Sequence, residues 1–321
     1  MIEAIAPTTP CDVRVCVAIP TFRRPEMLAA LLDAIAAQSL PSGYVLSVVV
    51  IDNDVEPSAR ALVRAESATY AYPLEYAHCQ EPGLSAVRNF ALSYARGTCD
   101  LLAMIDDDEC PETQWLRELI RVSETTNADA VIGPVPQRLP ASAPRWIRAG
   151  RFYDLPVYPD EATIDFGYSG NCLLRLASLE RFDVAFDRQL DFAGGEDMLF
   201  FRQLVARGAK MTYAARAVAS ETVGTARLHA SYVVRLHFRR GNTLAICDRR
   251  LNGSLPGLAL RLCKGVARVA VGVVSFVPRT VLHGRAGGVR ASCDIALGLG
   301  ALAGLFGFVY QAYNRVGVAR R

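Results

Sequence analysis

The sequence predicts an α/β domain on a mostly parallel sheet, and three observations carry that reading. Short Val/Ile-rich runs close on polar residues or Pro, these runs alternate with helix-length amphipathic segments, and clusters of acids stand where two of the runs end. Residues 13–19 and 45–51 are the first two runs, read as strands buried on both faces. Between them Leu28, Leu31, Leu32 and Ile35 recur at i, i+3, i+4 and i+7, and Pro25 stands at the helix start, where its missing N–H costs nothing. Leu74–His78 is read as a third strand, Leu84–Ala95 as a helix stopped by Gly97, and Leu101–Ile105 and 130–135 as further strands. Such alternation implies helices on both faces of the sheet, with ligands bound beyond the carboxyl ends of the strands. Asp52, Asn53 and Asp54 follow one strand and Asp106 to Glu109 follow another, so both clusters are expected on the same edge.

A length of 321 residues accommodates two domains or one larger α/β domain, and 51% hydrophobic with 21% charged residues is a globular composition. The nine Cys are scattered, without a Cys-x-x-Cys pair or matching His spacing, and are read as thiols of a reducing compartment. Residues 1–12 lack the basic start and apolar core of a signal peptide, so a flexible N-terminus is expected, with the catalytic part in the cytoplasm. The net charge of +3 conceals an asymmetry: residues 251–321 carry nine basic residues and one acid, whereas residues 1–250 have a balance of −5. An acidic body argues against nucleic acid as a partner.

Four consecutive acids at Asp106, Asp107, Asp108 and Glu109 repel one another, and none is buried without cost unless paired. Oxygen ligands at a strand end suit Mg²⁺ or Mn²⁺, which commonly take one or two carboxylates plus the oxygens of a substrate phosphate. A solvated polar turn is the alternative. Further on, Gly194-Gly195-Glu196-Asp197 leads into a helix over 198–207 that Gly208 ends. Acids there complement the helix dipole, while the glycines permit close backbone approach to a ligand.

The ordered series Pro20-Thr21-Phe22-Arg23-Arg24, Asp52, Gly83 to Asn89, Asp106-Asp107-Asp108, Gly170-Asn171 and Gly195-Glu196-Asp197 resembles the family 2 glycosyltransferases, in particular their bacterial exopolysaccharide, succinoglycan-type branch. The resemblance runs from about Val13 to Ala245 and implies a GT-A fold, a Rossmann-like nucleotide-binding sheet joined to an acceptor-binding half, over residues 13–250. It implies that Thr21 and Phe22 contact the nucleobase and ribose, that Asp52 binds the base or ribose, and that Arg88 stands near the nucleobase or phosphates, with Asn89 beside it. Asp106 and Asp108 then form the Asp-x-Asp pair, Asp108 as direct metal ligand and Asp106 on both metal and nucleotide side. Asp107 is grouped with the nucleotide-binding residues and, like Glu109, supplies supporting charge; Gly170-Asn171 borders a sugar, and Asp197 is the catalytic base with Glu196 as its substitute. The implied cofactor is Mg²⁺ or Mn²⁺, the donor a nucleotide sugar, expected to be a UDP-sugar, and the reaction one inverting transfer.

The processive members of the family carry Gln-x-x-Arg-Trp after the base; here residues 235–241 lack Trp, so a single-sugar transferase is preferred over a polymerase. Arg239 or Arg240 could hold the donor diphosphate, or simply form a solvated basic helix face. Arg23 replaces the Asn common at its position. Residues 251–321 read as a basic, apolar helical tail: 295–313 is uncharged, about 28 Å long as a helix, with a Gly300/Gly304 pair for close packing. Arg261, Lys264 and Arg268 give the preceding helix one basic face. A peripheral or monotopic location on the inner face of the cytoplasmic membrane is therefore expected, serving a glycan or polyprenyl-diphosphate-linked acceptor, and a helical pair packed on the catalytic body is the alternative. The rival functions are a sugar-nucleotide nucleotidyltransferase, although the first loop lacks that class's glycines, and a non-catalytic nucleotide-sugar-binding subunit.

Overall fold

A computed structural model gives the fold of residues 12–251 and 253–312. The expected N-terminal stretch, apart from Asp12, and the tail beyond Ala312 lie outside the described residues. Strands β1 (Val13–Thr21) and β2 (Tyr44–Asp52) pair in parallel, with helix α1 (Pro25–Ala36) crossing between them. Helix α2 (Arg60–Ser67) leads to β3 (Leu74–His78), parallel to β2, and α3 (Leu84–Ala95) leads back to β4 (Leu101–Ile105), parallel to β1 on its other side. The chain continues through β5 (Glu109–Pro111), α4 (Trp115–Thr126), β6 (Ala130–Ile132), β7 (Gln137–Arg138) and α5 (Arg145–Gly150). It then forms β8 (Asn171–Arg175), α6 (Leu176–Phe182), α7 (Glu196–Ala206), β9 (Met211–Tyr213), β10 (Ala219–Thr222), α8 (Ala230–Leu251) and α9 (Leu255–Leu305).

The main sheet runs β3-β2-β1-β4-β8-β6-β9, and β8 is antiparallel to both neighbours. A second sheet, β5-β10-β7, stands where the acidic run leaves β4. Strand alternation sorts the core into two layers: Cys16, Ala18, Leu102 and Met104 face one side, and Val15, Val17, Leu101 and Ala103 the other. The α/β reading is correct, and β1, β2, β3 and β4 pair in parallel as the sequence predicts.

The tail differs from expectation. α9 breaks at Gly284, where φ is +55°, into two halves that pack against each other. Gly298 and Gly272 make the close approach between them: a Cβ at 272 would lie 2.8 Å from the Ala291 carbonyl oxygen. The second half, 285–305, packs in turn on α8, with Gly304 against Asn242 and Ala245. The helix expected over 295–313 ends at Leu305. Asn242 accepts from the Tyr310 N–H at 2.9 Å and donates to the Phe308 carbonyl at 2.8 Å, which holds the following chain in a non-helical path. Among the described residues no helix is long and apolar enough to cross a membrane. The Gly300/Gly304 pair serves packing within this chain, with Gly300 against the Phe238 backbone of α8.

Candidate active site

The carboxyl ends of β1 and β4, the start of α3, the start of α7 and one side of α8 enclose a cleft of about 1420 Å³. β1 and β4 are adjacent parallel strands, so the loops after Thr21 and Ile105 meet there by topology alone. Asp107 turns inward and fastens them together: it accepts from Thr21 Oγ1 at 2.8 Å and from the Phe22 N–H at 3.3 Å. Arg24 bridges Asp107 and Asp108 at 2.8 and 2.7 Å. Burial raises the Asp107 carboxyl above the ordinary Asp range, against the pull of Arg24. Asp107 is therefore internal scaffolding, and Arg24, which the sequence left unassigned, is its counter-ion.

Asp106 and Asp108 line the cleft, with Asp106 the more open of the two. Glu109 begins β5 and, like Asp107, is buried, with Oε2 lacking any hydrogen-bond partner. Burial and the neighbouring Asp106 and Asp108 hold its carboxyl well above the usual range. Gly170 makes this crowding possible, because a Cβ there would meet Glu109 Oε1 and fall 3.0 Å from Asp106 Oδ2. Among the described residues no three His, Cys, Asp or Glu side chains converge as a closed metal cage. Two cleft-facing carboxylates beside an unsatisfied carboxyl oxygen nonetheless fit Mg²⁺ or Mn²⁺ that completes its shell with diphosphate oxygens and water.

Gly194 and Gly195, with φ of +75° and +92°, bring the chain into α7 at a point where Gly195 lies against Thr243 of α8. Glu196 is buried and ion-paired to Arg88 Nη1, while Arg88 Nη2 reaches Asp106 at 3.4 Å. Arg88 thus ties the α7 acids to the β4 acids. Burial pushes Glu196 up to about 7 against the pull of Arg88, and its Oε2 lacks a partner. Asp197 is partly open to the cleft, with one oxygen accepting from the Met198 N–H at 2.7 Å. Burial raises its carboxyl, while Arg88 and Arg239 oppose the rise.

Phe22 is not core: its ring is 42% exposed in the cleft wall, beneath the Arg23 guanidinium. Three assigned residues of the series, Asp52, Asn89 and Asn171, stand away from the cleft lining. Asp52 is at the expected strand end but wholly buried, accepting from the Ala59 N–H at 2.7 Å, the Asp54 N–H at 3.1 Å and Tyr76 Oη at 3.2 Å. Its carboxylate organises the β2–α2 loop, leaving Asn53 to reach the cleft. Arg23 pairs with Asp54 at 2.6 and 2.8 Å, which draws that carboxyl below the ordinary range. Asn89 is likewise structural, exchanging 2.8 Å bonds with the Phe186 backbone.

Asn171 is also internal: it accepts from Trp115 Nε1 at 2.8 Å and donates to the Ala217 and Pro134 carbonyls. Asn171→Leu should lower stability by about 3 kcal/mol, because several buried polar groups lose their partners together. Urea unfolding of the variant checks this, and an unchanged midpoint would remove Asn171 from the scaffold.

Comparison with known proteins agrees with this geometry. The model of glycosyl transferase family 2 matches residues 16–182. The succinoglycan biosynthesis protein ExoM of Rhizobium meliloti (strain 1021) is 38% identical over 233 residues, covering 72% of this chain and 73% of that protein. The glycosyltransferase AglE of Haloferax volcanii is 28% identical over 121 residues, 38% of this chain and 39% of its own. Among solved structures, S. aureus TarS 1–349 in complex with UDP-GlcNAc superposes with a TM-score of 0.53 at 18% identity, covering 91% of each chain. GalNAc-T7 with UDP, GalNAc and Mn²⁺ gives a TM-score of 0.55 at 11% identity, covering 74% of this chain and 48% of its own. These likenesses show the GT-A fold. The sheet, the ordered motifs and the family match together establish that this chain belongs to glycosyl transferase family 2.

Proposed function

We propose that the protein transfers a single sugar, with inversion, from a UDP-sugar to a lipid-linked glycan acceptor in exopolysaccharide or cell-surface polysaccharide assembly. The observation that carries this reading is that Asp197, in the first turn of α7, opens into the same cleft as Asp106 and Asp108. The UDP-GlcNAc bound by TarS supports the donor class, and the succinoglycan role in the name of ExoM supports the pathway class.

Asp197 takes the proton of the acceptor hydroxyl as that oxygen attacks the anomeric carbon, and the bond from this carbon to the diphosphate breaks on the opposite face. A sugar hydroxyl is a weak acid, so a carboxylate raised above the ordinary Asp range is the better base. Mg²⁺ or Mn²⁺, when held by Asp106 and Asp108, supplies Lewis-acid stabilisation of the leaving diphosphate. Arg88 fixes Glu196 and Asp106 relative to each other, and the exposed Phe22 ring offers the nucleobase an apolar face. The product's anomeric configuration tests the mechanism: NMR should show it inverted relative to the donor, and retention would contradict a single displacement.

Membrane contact is assigned to the first half of α9, residues 255–283. Leu260, Leu262, Val266, Val273, Val274 and Val281 are all exposed there. At 100° per residue the uncharged side chains cover roughly 200° of the helix, while Arg261, Lys264, Arg268 and Arg279 share the remaining flank. Arg261 pairs with Asp248, and Arg268 and Arg279 pair with Asp294. A convex, unpaired apolar face of this width suits lipid better than the narrow seam of a two-helix contact. Half-burying about six such side chains is worth roughly 5 kcal/mol, comparable to a single acyl anchor. Val274→Asp with Val281→Asp should therefore abolish flotation with phosphatidylglycerol vesicles. Unchanged flotation, or a dimer that the two substitutions dissolve, would contradict the assignment.

A further inference from the structure

We infer that α8 carries a second anion site, which takes a phosphate or diphosphate borne by the acceptor. This inference rests on the transferase reading above and assigns charge that the donor site does not use. Arg235, Arg239 and Arg240 all line the cleft from α8. Elsewhere in the cleft, arginines have carboxylate partners: Arg24 with Asp107 and Asp108, Arg88 with Glu196, Arg227 with Glu221, and Arg202 and Arg261 with Asp248. Arg235 and Arg240 form no ion pair among the described residues, although Arg240 is largely shielded from solvent. A guanidinium withdrawn from water without a counter-ion is costly, and burial together with the adjacent Arg239 lowers the Arg240 pKa. A bound dianion removes that penalty, and arginine presents the planar fork that phosphate oxygens accept.

The position of the base separates this site from the donor. Gly194 and Gly195, which introduce Asp197, lie against Thr243. From Thr243 the row runs back along α8 through Arg240 and Arg239 to Arg235, about 12 Å away at 1.5 Å per residue. The donor diphosphate belongs at the β4 end with Asp106 and Asp108. In-line displacement places the attacking hydroxyl on the face of the anomeric carbon opposite that diphosphate, so the base marks the acceptor side. Positive charge that extends from the base along α8 is therefore placed for an anion one or two sugar units from the reacting hydroxyl.

Farnesyl diphosphate and inorganic pyrophosphate, each titrated by calorimetry into full-length protein saturated with UDP and Mn²⁺, test the inference. Binding alongside UDP is expected, weakened at least tenfold by Arg235→Gln or Arg240→Gln and partly recovered by Arg240→Lys. The acceptor KM should rise by a similar factor in the Gln variants, with the donor KM unchanged. Tighter binding of farnesyl diphosphate than of pyrophosphate would identify a lipid-linked source; equal affinities would identify recognition of the phosphates alone. Displacement of UDP by either probe would place the arginines at the donor and overturn the inference, as would binding that both Gln variants leave unchanged. Failure of UDP itself to bind would instead refute the transferase reading, so the two failures are distinguishable.

Discussion

Replacing Asp197 by Asn should reduce kcat for sugar transfer by about 10²–10⁴-fold, the contribution expected of a positioned general base. UDP affinity should stay within about twofold, because the side chain is isosteric and the base acts on the acceptor. Wild-type kcat should fall as pH falls, with an apparent pKa above the ordinary Asp range. The direction follows from the site: burial raises the Asp197 carboxyl, and a base is lost when it protonates. Burial raises the neighbouring Glu196 as well, to about 7, and the two carboxyls interact, so the acid limb belongs to the pair and not to one residue. Steady-state rates across pH for wild type and Asp197→Asn check both statements. A variant with unimpaired transfer would remove Asp197 from the chemistry.

The second large effect is expected at β4. Asp106→Asn and Asp108→Asn should each lower transfer by about 10²–10⁴-fold, since Lewis-acid stabilisation of a leaving diphosphate is worth several kcal/mol. They should also abolish the strengthening of UDP binding by Mn²⁺. Asp107→Asn is the informative contrast. Asp107 joins Thr21, Phe22 and Arg24, so its loss should lower stability by about 1–3 kcal/mol while leaving the Mn²⁺ response intact. Calorimetric titration of UDP with and without Mn²⁺ separates the outcomes. A normal Mn²⁺ response in both Asp106 and Asp108 variants would place the ion elsewhere.

The parallel strands and the acidic edge were legible in the sequence because buried strands and strand-end polar residues follow local pattern. β4 and the helix over Leu84–Ala95 run over the residues expected. The direction of β8 was not legible, since an apolar run buried on both faces reads alike in either direction. Within the acidic run only the family resemblance implied different roles for Asp106 and Asp108 than for Asp107 and Glu109; the run itself reads as four equivalent acids. It did not reveal that Glu109 starts a second sheet or that Arg24 returns from β1 to neutralise the run. Asp52 shows the same limit: a carboxylate at a strand end serves a ligand or its own loop, and only the positions of Ala59 and Tyr76 decide between them. The tail was misread in length because an uncharged composition does not specify a helix end. Asn242, distant in sequence, supplies the bonds that turn the chain after Leu305. Arg235 and Arg240 of α8 stood out only once the cleft showed which cations already had carboxylate partners.

The central claim, a divalent-ion-dependent displacement in which Asp197 is the base, is tested most directly by acceptor-dependent UDP release. Wild type and Asp197→Asn should be assayed side by side on a panel of UDP-sugars with membrane-lipid acceptor, with and without EDTA. The account predicts release by wild type that EDTA abolishes and Mn²⁺ restores, and no acceptor-dependent release by Asp197→Asn. EDTA-resistant release by wild type, or equal release by the variant, would contradict it.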